Sequence, residues 1–360
     1  MHLLVDAHED LAWNILALGR DYTRSAAETR QREKDTPAIQ HNGNTLLGWP
    51  DYQRAHAAVI FGTLFASPIR RRLGEWDTQA YSDFEQAHRL YRAQLEAYLS
   101  LTDHHADKFR LIHTAANLDE VVAPWADETE THPVGLVVLM EGAEGVRTPA
   151  ELDEWWGLGV RILGPAWAGT RFCGGTREPG PLTESGRALL SGMAEIGFTL
   201  DLSHMDELAA RQSLDSYPGP IIASHANAAA IIPEYEGNRQ LPDAIIKGIL
   251  ERDGVIGVVP YCKFLNYGWK KGVARDGLTL ETLAAHIDHI CQMAGDASHV
   301  GFGSDFDGGF GLEAAPADVD TIADLQKLDP ILAVRGYQEA DIAAILGGNW
   351  LRHLRENLPS

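Results

Sequence analysis

The chain has 360 residues, 45% of them hydrophobic and 22% charged, which is enough apolar material for a large core in one or two domains. Its 51 acidic against 30 basic residues give a formal charge of −21, which excludes partners that present phosphate backbones or anionic membrane surfaces, so neither nucleic acid nor membrane is expected. Cys173, Cys262 and Cys291 are widely spaced, show no zinc-type pairing and read as free thiols of a reducing compartment.

The first residues lack the basic flank and apolar length of a signal peptide, and no later run approaches the ~18 apolar residues of a membrane span. A cytoplasmic location is therefore expected. Residues 3–7 read as a strand that delivers His8, Glu9 and Asp10 at its C-terminal end. Alternation puts His8 and Asp10 on one side and Glu9 on the other, a two-ligand spacing, although an acid before the helix at 11–18 also serves as a cap. Residues 22–49 are polar and irregular and read as a long loop of the kind that shapes a pocket.

A second strand is expected at 59–66 and an amphipathic helix at 83–101, with Ala87, Leu90, Tyr91, Leu95, Tyr98 and Leu99 on its apolar face. His88, His104 and His105 read as solvated surface histidines, and a minor strand is expected at 109–114. Residues 134–140 form a buried strand that ends at Glu141 and Gly142, with Glu144 in the turn before a helix at 149–156. The strand at 160–163 is followed by Gly164, Pro165, Ala166, Trp167 and a glycine-rich loop through Gly180, then a helix at 184–196.

The densest signal comes next, because one short phrase occurs twice. The apolar run 198–202 ends at Ser203 and His204; after a helix at 205–216, the run 221–223 ends at Ser224 and His225. So short a connection between buried strands favours a parallel pair, whose C-termini share one edge, and two imidazoles there can converge on a metal. The following loop holds Asn238, Arg239 and Gln240; Arg239 reads either as a surface ion-pair partner or as a clamp for a substrate carboxylate. A helix at 243–252, a strand at 255–259 ending at Pro260 and Tyr261, and a helix at 280–293 follow. His286 and His289 on that helix read as structural or solvated. The last strand, 300–303, ends in Ser304 and Asp305, and helices at 318–327 and 339–355 close the chain.

Eight strands with helical crossovers predict a (β/α)8 TIM barrel, α/β in class, as a single domain over 1–360, with roughly 100 residues beyond the ~250 usual for this fold. Catalytic groups of such barrels sit at the strand C-termini, which here carry His8, Asp10, Glu141, His204, His225 and Asp305. Three imidazoles and several carboxylates exceed one zinc site and suit two divalent metals: His8 and Asp10 on one, His204 and His225 on the other, Glu141 between them. Two ions of this kind activate a shared hydroxide at neutral pH, and Asp305 is left as general acid and base.

This set, with the runs Leu200-Asp201-Leu202-Ser203-His204, Arg239-Gln240-Leu241-Pro242-Asp243 and Gly301 to Gly308, resembles the renal (membrane) dipeptidase family of binuclear zinc hydrolases over nearly the whole chain. The resemblance implies two zinc ions on those ligands, attack by a bridging hydroxide on L,L or L,D dipeptides, and proton transfer by Asp305 to the leaving amine. It also implies that Arg239, with Tyr261, holds the substrate's terminal carboxylate, and that the chain tends to form a homodimer. One position departs: Trp167 stands where the family carries a His that polarises the scissile carbonyl. Losing such a donor costs ~10²- to 10³-fold in turnover. The alternative is therefore a related amidohydrolase-type enzyme, a deaminase or a hydrolase of another amide, ester or lactone, with Trp167 as a pocket wall. The His-Glu-Asp order of the first strand argues against a single-metal deaminase, and Asp305 argues against a barrel that merely binds metal or ligand.

Overall fold

Apolar runs buried on both faces become parallel strands, and eight of them form a ring in the computed structural model, which describes residues 1–360. They are β1 (Leu4–Glu9), β2 (Ala57–Phe65), β3 (Val134–Glu141), β4 (Val160–Gly164), β5 (Thr199–Asp201), β6 (Ile221–Ile222), β7 (Ile256–Val258) and β8 (Val300–Phe302). Consecutive strands from β1 to β6 and from β7 to β8 pair in parallel, β1 also pairs with β8, and β6 and β7 are joined only by a single parallel bridge from Ala223 to Ile256. The β6–β7 seam is the narrowest, held by Ala223, whose N–H donates to Val255 O at 3.0 Å and whose carbonyl accepts from Gly257 N–H at 2.8 Å. Gly257 permits that approach: a Cβ there would lie 1.9 Å from Ser224 O. The expected (β/α)8 barrel is thus the observed one, and one cluster of buried apolar side chains runs from Leu4 to Leu358.

Helices cover the ring, and side-chain caps set where they start. Asp83 accepts from Gln86 N–H to open the long helix Phe84–His104, which buries Ala87, Tyr91, Leu95 and Tyr98 and leaves Leu90 and Leu99 half-buried. Thr183 opens Glu184–Ile196, and Gly197 closes it in the left-handed conformation. The minor strand expected at 109–114 is realised only as Phe109–Leu111, paired with the start of β3, because Thr114 caps the helix that follows.

Four local expectations are corrected. Residues 22–49 are not a structureless loop: they carry helices Ala26–Glu33 and Ala38–Asn42. Their polar composition feeds a buried network in which Arg20 pairs with Glu33 at 3.0 Å and Asp307 at 3.0 Å, while Tyr22 and Thr45 donate to Asp307. His88 is half-buried rather than solvated, with its Nδ1 2.9 Å from Gly145 O and its ring edge-on to Trp155. The glycine-rich stretch after β4 is a hairpin, Cys173–Gly175 against Glu178–Leu182, turning through Thr176 and Arg177. At the chain end, a 3₁₀ turn at Ile322–Lys327 and a π turn at Ala344–Gly348 break what reads in sequence as continuous helix. The three cysteines are free and buried, and no helix is long and apolar enough to cross a membrane.

Candidate active site

The C-terminal ends of the strands bring the polar residues to one mouth. His8 and Glu9 close β1 on opposite sides: His8 is buried with its ring stacked on His225, centroids 3.6 Å apart, whereas Glu9 turns outward to accept from Tyr52. Asp10 follows, 4% exposed, and Glu141 ends β3 at the same exposure. His204 lies three residues beyond β5 in the left-handed conformation, φ 67°, which swings its ring into the mouth, and His225 follows β6.

The Glu141 carboxylate sits between the two groups of ligands. Its Oε1 is 3.0 Å from His204 Nε2 and 3.2 Å from His225 Nε2, and its Oε2 is 3.8 Å from His8 Nε2. Asp10 Oδ2 is 4.0 Å from the same His8 nitrogen. Three sets of side chains place ligand atoms within 4.8 Å of one another: His8, Asp10 and Glu141; Glu141, His204 and His225; and His8, His225 and Asp305. The first two share Glu141, as the strand order leads one to expect. The third was not foreseen and puts Asp305 within ligand reach as well as proton-transfer reach.

The doubled Ser-His phrase has a structural reason. Asp201, the last residue of β5, accepts the backbone N–H groups of Ser203 and Ser224 at 2.9 Å each, and also the Ser224 hydroxyl. With its proton committed to Asp201, Ser224 Oγ accepts from His225 Nδ1–H at 2.8 Å, which leaves the Nε2 lone pair aimed into the mouth. Ser203 Oγ in turn accepts the His225 backbone N–H, and Thr176 Oγ1 lies 2.9 Å from His204 Nδ1. Sequence reasoning assigned no role to Asp201, Ser224 or Thr176, although a hydroxyl preceding each His was the available signal. Ser224→Ala is expected to weaken metal affinity by ~10- to 100-fold while leaving the fold intact, read by titrating metal into apo-protein.

Charge in this cluster is unbalanced. Burial pushes Asp10 up to about 7, with Asp307 adding to the shift. Burial, then Asp10 and Asp305, push Glu141 well above the carboxylate range; burial and Asp10 do the same to Asp305, with Arg239 opposing. Burial holds His8, His204 and His225 well below the usual imidazole range, which favours their neutral form. Both His8 ring nitrogens, Asp10 Oδ1 and Glu141 Oε1 are buried without a hydrogen-bond partner. Neutral imidazoles and crowded carboxylates with unused lone pairs fit divalent cations, which take N and O ligands and relieve the repulsion.

Above this floor opens a cavity of about 400 Å³. Asp10, Glu141, His204 and Asp305 form part of its lining, with Trp167, Arg239 and Tyr261 on the walls. Arg239 is 7% exposed; Nη2 donates to His225 O at 2.8 Å, and Nε and Nη1 have no partner. Tyr261 stacks on Phe310 at 4.2 Å, and burial with Asp305 raises its phenol to about 12. Trp167 packs on Phe65 at 5.0 Å, with its ring 6.2 Å from that of His204. Gly308 is a further requirement that sequence reading missed: a Cβ there would lie 2.0 Å from Asp305 Oδ1 and 2.8 Å from Asp10 Oδ2. Gly308→Ala is expected to displace Asp305 and lower kcat by ~10²-fold with an unchanged far-UV spectrum.

Comparison with known proteins matches residues 1–358 to the family model described as membrane dipeptidase, peptidase family M19. The chain belongs to the membrane dipeptidase family. It is accordingly a metal-dependent hydrolase, and the resemblance read from the strand ends holds over the whole chain. An uncharacterised protein in the pqqA 5′ region of Klebsiella pneumoniae is 31% identical over 273 residues, 73% of this chain and 94% of that one. An uncharacterised dipeptidase of Schizosaccharomyces pombe is 30% identical over 223 residues, 59% of this chain but only 51% of its own length. Among solved structures, a metallopeptidase named dipeptidase AC superposes with a TM-score of 0.78 at 24% identity, covering 100% of this chain and 99% of that one. A Rhodobacter sphaeroides metallopeptidase, solved with a phosphinate mimic of L-Ala-D-Ala, gives 0.77 at 24% identity with 99% of each chain covered. At these identities the structural likeness speaks for the fold.

Proposed function

We propose that the chain is a binuclear metal-dependent dipeptidase that hydrolyses L,L or L,D dipeptides, that its two ions are zinc, and that residues 1–360 work as one barrel domain. The observation that carries this reading is Glu141, with one carboxylate oxygen toward His204 and His225 and the other toward His8. His8 and Asp10 would hold one ion, His204 and His225 the other, with Glu141 common to both. When bound, such ions supply Lewis-acid activation of water and of the substrate carbonyl.

The chain's own groups supply the rest. Arg239 lines the cavity and keeps Nε and Nη1 without a hydrogen-bond partner, donors suited to a terminal carboxylate, and Tyr261 lines the same cavity. That anchorage sets the scissile bond over the floor. Asp305, half-buried beside His8 and His225, takes the proton of the attacking water and returns it to the departing amine nitrogen. Trp167 supplies a flat wall that excludes water and one indole N–H, in place of the family His.

The test is turnover of an L,L and L,D dipeptide panel beside N-acyl amino acids and lactones, on the wild type and Trp167→His. Dipeptides are expected to be hydrolysed with kcat/KM of ~10⁴ M⁻¹s⁻¹ or more, and Trp167→His to raise kcat by up to ~10²-fold. Turnover confined to lactones or N-acyl amino acids would overturn the dipeptidase reading.

A further inference from the structure

Four cationic side chains line the cavity: Arg71, Arg177, Arg239 and Lys263. Its carboxylates are Asp10, Glu141 and Asp305, all at the floor. Arg71 is engaged by Glu178 at 2.9 Å, a carboxylate it shares with Arg70 at 2.6 Å, and Arg239 is taken by the α-carboxylate in the reading above. Arg177 and Lys263 remain, and neither has a carboxylate within 4.0 Å. In a chain with a large excess of acidic residues, two unpaired cations facing one cavity need an account.

The backbone of Arg177 and the side chain of Lys263 are both linked to the segment that carries Arg239. Arg177 sits at the hairpin tip with φ 63°, a conformation unfavourable for a side chain with a Cβ, and its N–H donates to Asn238 Oδ1 at 2.9 Å. Asn238 is anchored in turn, donating to Gly175 O and to Asp206 Oδ2 at 3.0 Å each. Lys263 follows Tyr261 on the short helix Cys262–Leu265; its Nζ donates to Tyr267 O and lies 4.5 Å from the Tyr267 ring. Tyr267 meets Tyr235 edge-on at 5.2 Å, and the Tyr235 hydroxyl accepts the N–H groups of Arg239 and Gln240 at 2.6 and 2.7 Å. The backbone of Arg177 is therefore tied to the segment that carries Arg239 through Asn238, and Lys263 is linked to it through the Tyr267–Tyr235 ring pair. The neighbouring lining groups, Asn238, Gln240, Tyr235 and Tyr267, are neutral.

We propose that Arg177 and Lys263 form a second anion subsite beside Arg239, and that the preferred substrates are dipeptides whose C-terminal residue is aspartate or glutamate. The inference rests on the dipeptidase reading. A C-terminal acidic residue carries two carboxylates: Arg239 holds the α-carboxylate, and the side-chain carboxylate reaches the pair. Hydrogen bonds to charged groups are worth enough to give a preference of about 10-fold even at a solvent-facing rim.

The experiment compares kcat/KM for L-Ala-D-Glu, L-Ala-D-Gln and their L,L counterparts, at low and high ionic strength, on the wild type, Arg177→Gln, Lys263→Gln, the double variant and Arg177→Lys. The wild type is expected to favour Glu over Gln by about 10-fold, less at high salt. The ratio falls toward one in the double variant and is largely kept by Arg177→Lys. A ratio at or below one in a wild type that hydrolyses Ala-Gln overturns the subsite alone. A ratio of about 10 that survives in a folded double variant, verified by its melting curve, overturns the assignment to Arg177 and Lys263. Failure to hydrolyse any of these peptides overturns the dipeptidase reading and the subsite with it.

Discussion

Glu141→Gln is expected to release bound metal and abolish activity together. The carboxylate lies 3.0, 3.2 and 3.8 Å from three imidazole nitrogens, and it is the one carboxylate of the mouth grouped with all three histidines. An amide of the same shape keeps the packing but loses the charge and replaces one acceptor oxygen with a donor NH₂. That donor would face either His8 Nε2 or the Nε2 pair of His204 and His225, where a neutral amide relieves crowding only while no cation is present. The expected result is a well-folded protein, stable in its apo form, with metal content reduced to one ion per chain or fewer. Activity should fall by ~10³-fold or more, about 4 kcal/mol in transition-state stabilisation. Elemental analysis of the purified variant beside a peptide hydrolysis assay reads both. A fully loaded, fully active variant would refute the bridging role.

Asp305→Asn separates proton transfer from ligation. In the proposed mechanism Asp305 moves a proton, and removing a positioned general acid and base costs ~10²- to 10⁴-fold. Its carboxylate also stands with His8 and His225 as a ligand-capable group. As a proton-transfer group, its loss lowers kcat with KM and metal stoichiometry retained. As a ligand, its loss lowers metal content in step with activity. The prediction is the first outcome, measured as steady-state kinetics and metal content on the same preparation. Loss of metal in proportion to activity would move Asp305 into the ligand set.

The contrast between what was legible in the sequence and what was not has a physical pattern. The barrel could be read because each buried strand is a short apolar run that stops abruptly at a polar residue, as Met140 gives way to Glu141 or Leu202 to Ser203 and His204. That same boundary brings His8, Asp10, Glu141, His204, His225 and Asp305 to one mouth. Contacts between distant, individually unremarkable polar residues left no such mark. Arg20 and Asp307 are nearly the whole chain apart, yet their buried pair organises the segment that sequence patterning renders as loop. The Ser224 hydroxyl and Thr176 act through hydrogen bonds to ring nitrogens, a relation that no local pattern encodes. Gly308 matters only because two carboxylates pass within van der Waals distance of its Cα hydrogens.

The most direct test of the account is metal stoichiometry coupled to function: elemental analysis of the purified protein, followed by chelation and stepwise return of zinc while dipeptide hydrolysis is monitored. The account predicts two divalent ions per chain, loss of activity on chelation, and recovery that needs both equivalents. Undiminished hydrolysis by metal-free protein, or no retained metal after reconstitution, would contradict it.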